Sequence, residues 1–332
     1  MSLLEVSQLT VDVQGIPVVS DVRFAISAGE RLGLIGESGS GKTITALAIM
    51  GLLPEGLRAR GSVVLDGTEL LSLSERRLSA VRGSRIAMVF QEPMTALDPL
   101  MRVGTQITDA IRIHERVGRR AARDRMLQLM PRVGFSNPRE QSRRFPHQLS
   151  GGQRQRIVIA IAIACGPALI LADEPTTALD VTVQAQVLAL LQDLVQDQGS
   201  ALLLISHDLA VVSSVCQRIV VMYGGRVVES ASTPELLTRP RHPYTQALLH
   251  TSRGIGGNGD TPAGHLPTIP GSVPELGRFP SGCVFRGRCD REQDRCLEAP
   301  PTTGSDHLVA CWFPLTSPSD PTAAVTTGGV GA

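Results

Sequence analysis

The chain has 332 residues, is 42 % hydrophobic and carries a formal net charge of +1. That is enough length for one large domain with a small companion, and enough apolar content for a sizeable core. A balance so near neutral gives no electrostatic footing for nucleic acid or for an anionic membrane surface. The opening MSLLEVSQLTVDVQG has no basic region, apolar stretch or cleavage pattern, so no signal peptide is expected. Residues 3–13 alternate polar and apolar and predict a half-buried strand. Arg31–Ile35 reads as an apolar strand, followed by a Gly-rich turn and a helical run to about residue 53. GSVVLDGTELL, 61–71, reads as strand, Asp-Gly turn, strand. Helical spacing with many arginines over 105–133 predicts solvated helices.

The longest apolar run, Ile157 to Ala172, is broken by Pro167 and too short to span a bilayer. It divides into a buried helix to Cys165 and a strand at 168–172. After it come a helix at 182–197, a strand at 201–205, a helix at 208–215 and a strand at 218–223. That alternation predicts a parallel sheet covered by helices. Gly and Pro dominate 254–282, which reads as a linker or extended arm, and the last fifteen or so residues read as disordered. Cys165 and Cys216, alone among apolar neighbours, are expected to be core thiols.

GESGSGKT, Gly36 to Thr43, contains the only lysine in a chain of 31 arginines. It fits G-x-x-x-x-G-K-[ST] between a strand and a helix, the context that gives this motif its meaning. Gly36, Gly39 and Gly41 let the backbone turn tightly round an anion, and Ser38 and Ser40 complete the loop. The N–H groups face inward at a helix N-terminus. Lys42 supplies a compact cation between phosphates, a role a planar guanidinium fills badly. Thr43 offers a hydroxyl to Mg²⁺. Leu169-Ile-Leu-Ala172 then runs into Asp173-Glu174: Asp173 suits the Mg²⁺ shell, and Glu174 suits a general base for an attacking water.

Leu149-Ser150-Gly151-Gly152-Gln153 opens a helix shortly before Asp173-Glu174. This resembles the signature sequence of ATP-binding-cassette (ABC) ATPases. Gln91 in VFQEP is similar to the family's Q-loop, Ala178-Leu-Asp180 to its D-loop, and His207 in ISHD to its switch histidine. The resemblance implies an α/β fold: a P-loop ABC ATPase core with a mostly parallel sheet, an antiparallel β subdomain and a helical subdomain at about 95–165. It also implies Mg·ATP, with Thr43, Gln91 and Asp173 around the Mg²⁺, Glu174 and His207 as catalytic residues, and Ser150 to Gln153 and Asp180 facing ATP held by a second subunit. One departure stands out. The family stacks adenine on an aromatic residue that by spacing falls near Val13, and residues 1–23 hold no aromatic at all.

FQEPMTALDP (90–99), RPRHPYTQALL (239–249) and the segment 269–312 resemble the dipeptide/oligopeptide (peptide/nickel) importer ATPases. On that basis residues 1–255 form the nucleotide-binding domain, 256–318 a small irregular cysteine-rich arm and 319–332 a disordered tail. In the arm Cys283, Cys289, Cys296 and Cys311 are separated by 5, 6 and 14 residues. Four thiolates can ligate a metal, but no C-x-x-C pair is present, so zinc and free thiols stay open. The family implies a [4Fe–4S] cluster, expected here to staple an otherwise coreless arm lying outside the ATP core. The resemblance further implies a second ABC ATPase subunit (a paralogue or a copy), two transmembrane permease subunits, an external substrate-binding protein, no nucleic acid, and a peripheral position on the cytoplasmic face of the membrane. Peptide import is the leading function. A nickel chelate or another small solute, and a soluble non-transport ATPase, are the alternatives.

Overall fold

In the computed structural model, residues 2–177, 179–254 and 269–315 are described. The N-terminal half alternates short apolar runs with turns. It gives β1 (Ser2–Val13), β2 (Ile16–Ser27), β3 (Arg31–Ile35), α1 (Lys42–Met50), β4 (Leu57–Leu65), β5 (Thr68–Glu69), α2 (Glu75–Val81) and β6 (Ile86–Val89). The helical stretch follows as α3 (Pro93–Ala96), α4 (Val103–Glu115), α5 (Arg119–Arg132), α6 (Pro138–Gln141) and α7 (Gly151–Ile163). Strands and helices then alternate through β7 (Leu169–Asp173), α8 (Val181–Gln198), β8 (Ala201–Ser206), α9 (Leu209–Val215), β9 (Arg218–Tyr223), β10 (Arg226–Ser232), α10 (Thr233–Thr238) and α11 (Pro243–Gly254). Two short strands close the described chain, β11 (Thr302–Thr303) and β12 (Leu308–Ala310).

One sheet is antiparallel, in the order β2-β1-β4-β5. The other runs β11-β12-β10-β9-β3-β8-β7-β6 and is parallel from β9 to β6. Its central strands are apolar at nearly every position because both faces are covered. Successive side chains point to opposite faces. Leu32, Leu34, Leu169, Leu171, Leu203 and Ile205 thus join the core shared with the antiparallel sheet and α1. Ile35, Ile170, Ala172, Leu202 and Leu204 join the core shared with the helices.

The register sets the functional edge. Ile35 on β3 is level with Ser206 on β8, and Asp173 on β7 with Ile205. The turn after β3, the end of β7 and the turn after β8 therefore meet at the carboxyl ends of adjacent parallel strands, where ligands bind in open α/β sheets.

The arm differs from the coreless segment expected of it. Residues 269–282 are irregular, but β12 pairs antiparallel with β10, so the arm extends the main sheet. Cys283, Val284, Phe285 and Cys296 are buried in the same cluster as α7 and β8. The expected disordered tail and residues 255–268 of the expected linker lie outside the described residues.

Candidate functional site

The loop after β3 enters α1 without a side-chain cap: Gly41 is the N-cap residue, at φ 95°. Gly36 has φ +154°, and a Cβ there would sit 2.2 Å from the carbonyl oxygen of Met222 on β9. No side chain fits between loop and sheet, so the glycine is required by space as well as by conformation. Gly41 closes the first turn by accepting from Thr45 N at 2.9 Å. The lone lysine is 6 % exposed, and its Nζ donates to Gly36 O (2.8 Å), Glu37 O (3.0 Å) and Ser40 Oγ (3.4 Å). Burial lowers its pKa, and the charges of Glu174, Asp173 and Glu37 oppose that.

Thr43 Oγ1 donates to Asp173 Oδ1 at 3.3 Å across the β3–β7 edge. Burial holds the Asp173 carboxyl above its ordinary range, against the Thr43 hydrogen bond. A buried, under-compensated carboxylate beside a hydroxyl at a phosphate loop suits a hard divalent cation, which would reverse that shift.

Glu174 adopts φ 46°, the left-handed region that non-glycine residues enter rarely. Its N–H donates to Ile205 O on β8 at 2.9 Å. Oε2 accepts from Gln91 Nε2 (3.2 Å) and Thr177 Oγ1 (2.8 Å), and Oε1 lies 3.0 Å from His207 Nδ1. Burial pushes this carboxyl up, but the hydrogen bonds from His207 and Thr177 and the Lys42 charge outweigh it, so it sits below its ordinary value. Lys42, Thr43, Gln91, Glu174 and His207 all line one cleft of about 1280 Å³.

The residues of the LSGGQ stretch stand apart from that cleft. Ser150 Oγ accepts from Gln153 N at 3.3 Å and Gln153 Oε1 accepts from Ser150 N at 3.1 Å, a reciprocal cap on α7. Ser150 and Gly151 are exposed, Gly152 packs on Val183 and Gln153 is half-buried. None of the four lines the cleft. Asp180 caps α8 by accepting from Val183 N at 3.0 Å. Ala178 lies outside the described residues.

Three contributions were not foreseen. Glu37, the second residue of the loop, donates its N–H to Tyr244 Oη at 2.8 Å and pairs with Arg288 of the arm at 2.6 Å. Thr177 fixes Glu174. Val18, and not Val13, lines the cleft. The only signal for Thr177 was its place in DEPTTALD. Tyr244 stood in RPRHPYTQALL as a family mark without a role.

Cys283, Cys289, Cys296 and Cys311 are all free and line one second cavity, of about 10 Å³. Burial raises the thiols of Cys283 and Cys289, and raises Cys311 to about 11, helped by the neighbouring sulfurs. His242 and Arg286 line the same cavity. His242 Nδ1 accepts from Tyr244 N at 3.0 Å, which leaves the proton on Nε2. Both His242 Nε2 and Arg286 Nη1 are buried without a hydrogen-bond partner among the described residues. Two orphaned donors beside four sulfurs fit an electron-rich sulfur centre. The small volume does not leave room for one in the arrangement described. Among the described residues no group of three or more His, Cys, Asp and Glu is disposed to hold a single metal ion. No helix of the described residues is long and apolar enough to cross a membrane. Cys216 is a buried core thiol pushed up to about 12, and Cys165 is half-buried.

Comparison with known proteins identifies relatives among transporter ATP-binding subunits. Residues 19–177 match the ABC transporter family, and residues 228–296 match the C-terminal region of oligopeptide/dipeptide transporters. The chain is 45 % identical to the probable D,D-dipeptide transport ATP-binding protein DdpD of Escherichia coli, over 94 % of this chain and 97 % of that one. It is 45 % identical, with the same coverage, to the oligopeptide transport ATP-binding protein AppD of Bacillus subtilis. Among solved structures, the ATP-binding cassette MJ0796, captured as a dimer in a post-hydrolysis state with ADP and Pi, superposes with a TM-score of 0.62. The identity there is 28 %, over 69 % of this chain and 98 % of that one.

Proposed function

The chain belongs to the ATP-binding subunits of the oligopeptide/dipeptide ABC transporter family, and from that premise we propose that it hydrolyses Mg·ATP to drive import of di- and oligopeptides through separate permease subunits. The observation that carries the chemistry is Glu174, held by Gln91, Thr177 and His207 in the same cleft as Lys42. Lys42 and the N–H groups of the loop bind the phosphates. Thr43, Asp173 and Gln91 would hold Mg²⁺, which would supply positive charge to offset the charge that develops on the phosphoryl group. Glu174, ionised and oriented on three sides, positions the attacking water and takes its proton. His207 fixes Glu174 and faces the cleft.

Ser150, Gly151, Gly152 and Gln153 cap a helix whose N-terminus is exposed and away from the chain's own cleft. An exposed helix N-terminus suits an anion. A head-to-tail pair, with a copy or a paralogue, brings it to the γ-phosphate of the other subunit, and Asp180 lies at the same junction. Residues 1–255 act as the nucleotide-binding domain and 256–318 as the arm. The chain works peripherally at the cytoplasmic face, with two permeases and an external binding protein. Cys283, Cys289, Cys296 and Cys311 would hold a [4Fe–4S] cluster, and His242 and Arg286, which line the same cavity, would offer it donors. Its role is structural, and it requires the cavity to open relative to the arrangement described.

Glu174→Gln tests the chemistry. It should leave ATP affinity within about twofold and lower turnover by roughly 100-fold or more, because general-base contributions run from about 10² to 10⁴. Turnover at the wild-type rate would remove Glu174 from the mechanism. Anaerobic purification tests the cluster: a brown protein with about four irons per chain supports it, and a colourless, iron-free protein rejects it. Peptide uptake by vesicles carrying the permeases and this chain, lost in Glu174→Gln, tests the cargo.

A further inference from the structure

The nucleotide cleft has a wall with no assigned role. Its lining includes Val18 of β2 and, from the arm, Val273, Leu276 and Phe279. Apart from His207, Phe279 is the one aromatic ring lining the cleft among the described residues. The phosphates take the polar end of the cleft, where the loop supplies N–H groups and Lys42. What remains for the rest of a nucleotide is this apolar wall. Residues 1–23 contain no aromatic, and the ring that β2 does carry, Phe24, is buried in the core beneath the antiparallel sheet and is not among the residues lining the cleft.

Phe279 is half-buried and held from behind. It meets Tyr223 edge-to-face, with centroids 6.1 Å apart and planes at 90°, and lies against Gly224, where a Cβ would be 2.9 Å from its ring. Leu276 is 49 % exposed although large and apolar. The adjoining Gly277 packs on Ile16 at the start of β2, which holds this stretch of arm beside Val18. The arm is also pinned to the phosphate loop. Arg288, 7 % exposed, grips Glu37 with both Nη atoms (2.6 and 3.2 Å), donates to Tyr223 Oη (3.0 Å) and bonds Pro270 O through Nε (2.8 Å).

We propose that the cysteine-rich arm completes the nucleotide site, with Phe279, Leu276, Val273 and Val18 forming the surface that takes the purine base. The inference rests on the reading of the cleft as an ATP site. The ordered face of Phe279 offers stacking, which every base accepts and which carries little base selectivity. The clamp of Arg288 on Glu37 keeps wall and phosphate loop at a fixed separation. The arm therefore enters the affinity for nucleotide directly, in place of the aromatic that residues 1–23 lack.

The test uses the purified full-length chain and calorimetric titration with Mg·ATP, Mg·GTP and Mg·tripolyphosphate, the last being a ligand with phosphates and no base. Phe279→Ala should weaken ATP and GTP alike, by roughly tenfold, and leave tripolyphosphate unchanged; Phe279→Trp should restore ATP. Leu276→Asp, at an exposed position that does not threaten folding, should repeat the pattern more weakly. Unchanged ATP affinity in both variants would overturn the proposal. So would an equal loss of ATP and tripolyphosphate, which would mark Phe279 as structural support only. If the wild-type chain binds neither ATP nor tripolyphosphate, the ATP-site reading itself fails, and that outcome is distinct from the other two.

Discussion

Lys42 explains why one lysine survives among so many arginines. Its three ammonium protons each find an oxygen of the loop within 3.4 Å, in a space 6 % exposed. A guanidinium is planar, wider and fixed in its fork, so it cannot turn three donors inward from one atom. Lys42→Arg should therefore lower ATP affinity by roughly tenfold or more, the loss of one charge-assisted hydrogen bond being about 1.5–3 kcal/mol. Near-normal affinity by equilibrium titration would mean that the lysine is incidental. Glu174 carries a pH signature at the same scale. Its folded pKa lies below the ordinary 4.5 despite burial, because His207 and Thr177 bond the ionised form. A carboxyl of this kind stabilises the fold above its unfolded pKa, and that contribution is lost as pH falls through the folded one. Acidification from pH 7 to below about 4.5 should thus cost the wild type more stability than Glu174→Gln, read as the change in urea midpoint; an equal change would contradict the sign.

Among the elements, α7 shows a local rule serving a remote one. Ser150 and Gln153 satisfy each other's backbone donors, a capping box that needs no tertiary partner. Ser150→Ala should destabilise the fold by about 1 kcal/mol. Ser150→Asp should keep the cap and yet place a charge where the γ-phosphate of a second subunit would come. ATP-dependent dimerisation, measured by light scattering on a Glu174→Gln background, should fail in Ser150→Asp while its melting temperature stays near the parent's. Dimerisation undiminished by that aspartate would remove the signature helix from the interface. The capping box was legible in the sequence because all of its donors and acceptors lie within four residues. By contrast β2, β6 and β10 escaped notice. β6 is four residues long and is a strand because β7, distant in sequence, pairs with it, whereas β2 and β10 fold back on β1 and β9 across tight turns that went unread.

At the scale of the whole molecule one carboxylate ties the arm to the sheet beside the β10–β12 pairing. Glu229 on β10 is fully buried and accepts from Arg241 N (2.6 Å) and His242 N (2.9 Å), with His307 Nε2 of the arm at 2.6 Å. Removing it strands a buried and a part-buried backbone donor and a histidine, each worth about 1–3 kcal/mol. Glu229→Ala should destabilise the chain by about 3 kcal/mol or more in chemical denaturation and make the arm the first site of limited proteolysis. A loss under about 1 kcal/mol, or first cleavage elsewhere, would show that the arm is anchored independently of Glu229. The HPY triplet works between the two ends of this construction. His242 faces the cysteine cavity, and the hydroxyl of Tyr244 holds the N–H of Glu37 in the phosphate loop.

The sequence by itself determined the phosphate loop, the Asp173-Glu174 strand end, the signature helix and the parallel alternation of the second half. Each is written in contiguous residues whose spacing matches one element or one turn, so local chemistry suffices to read it. Only the tertiary structure decided that Gln91, Thr177 and His207 converge on Glu174, that Val18 rather than Val13 borders the cleft, and that the arm shares the core and reaches the phosphate loop through Arg288. Those contacts join residues separated by up to 251 positions. They arise from strand order and register, which are set by the burial of whole faces and leave no mark in any single stretch of chain.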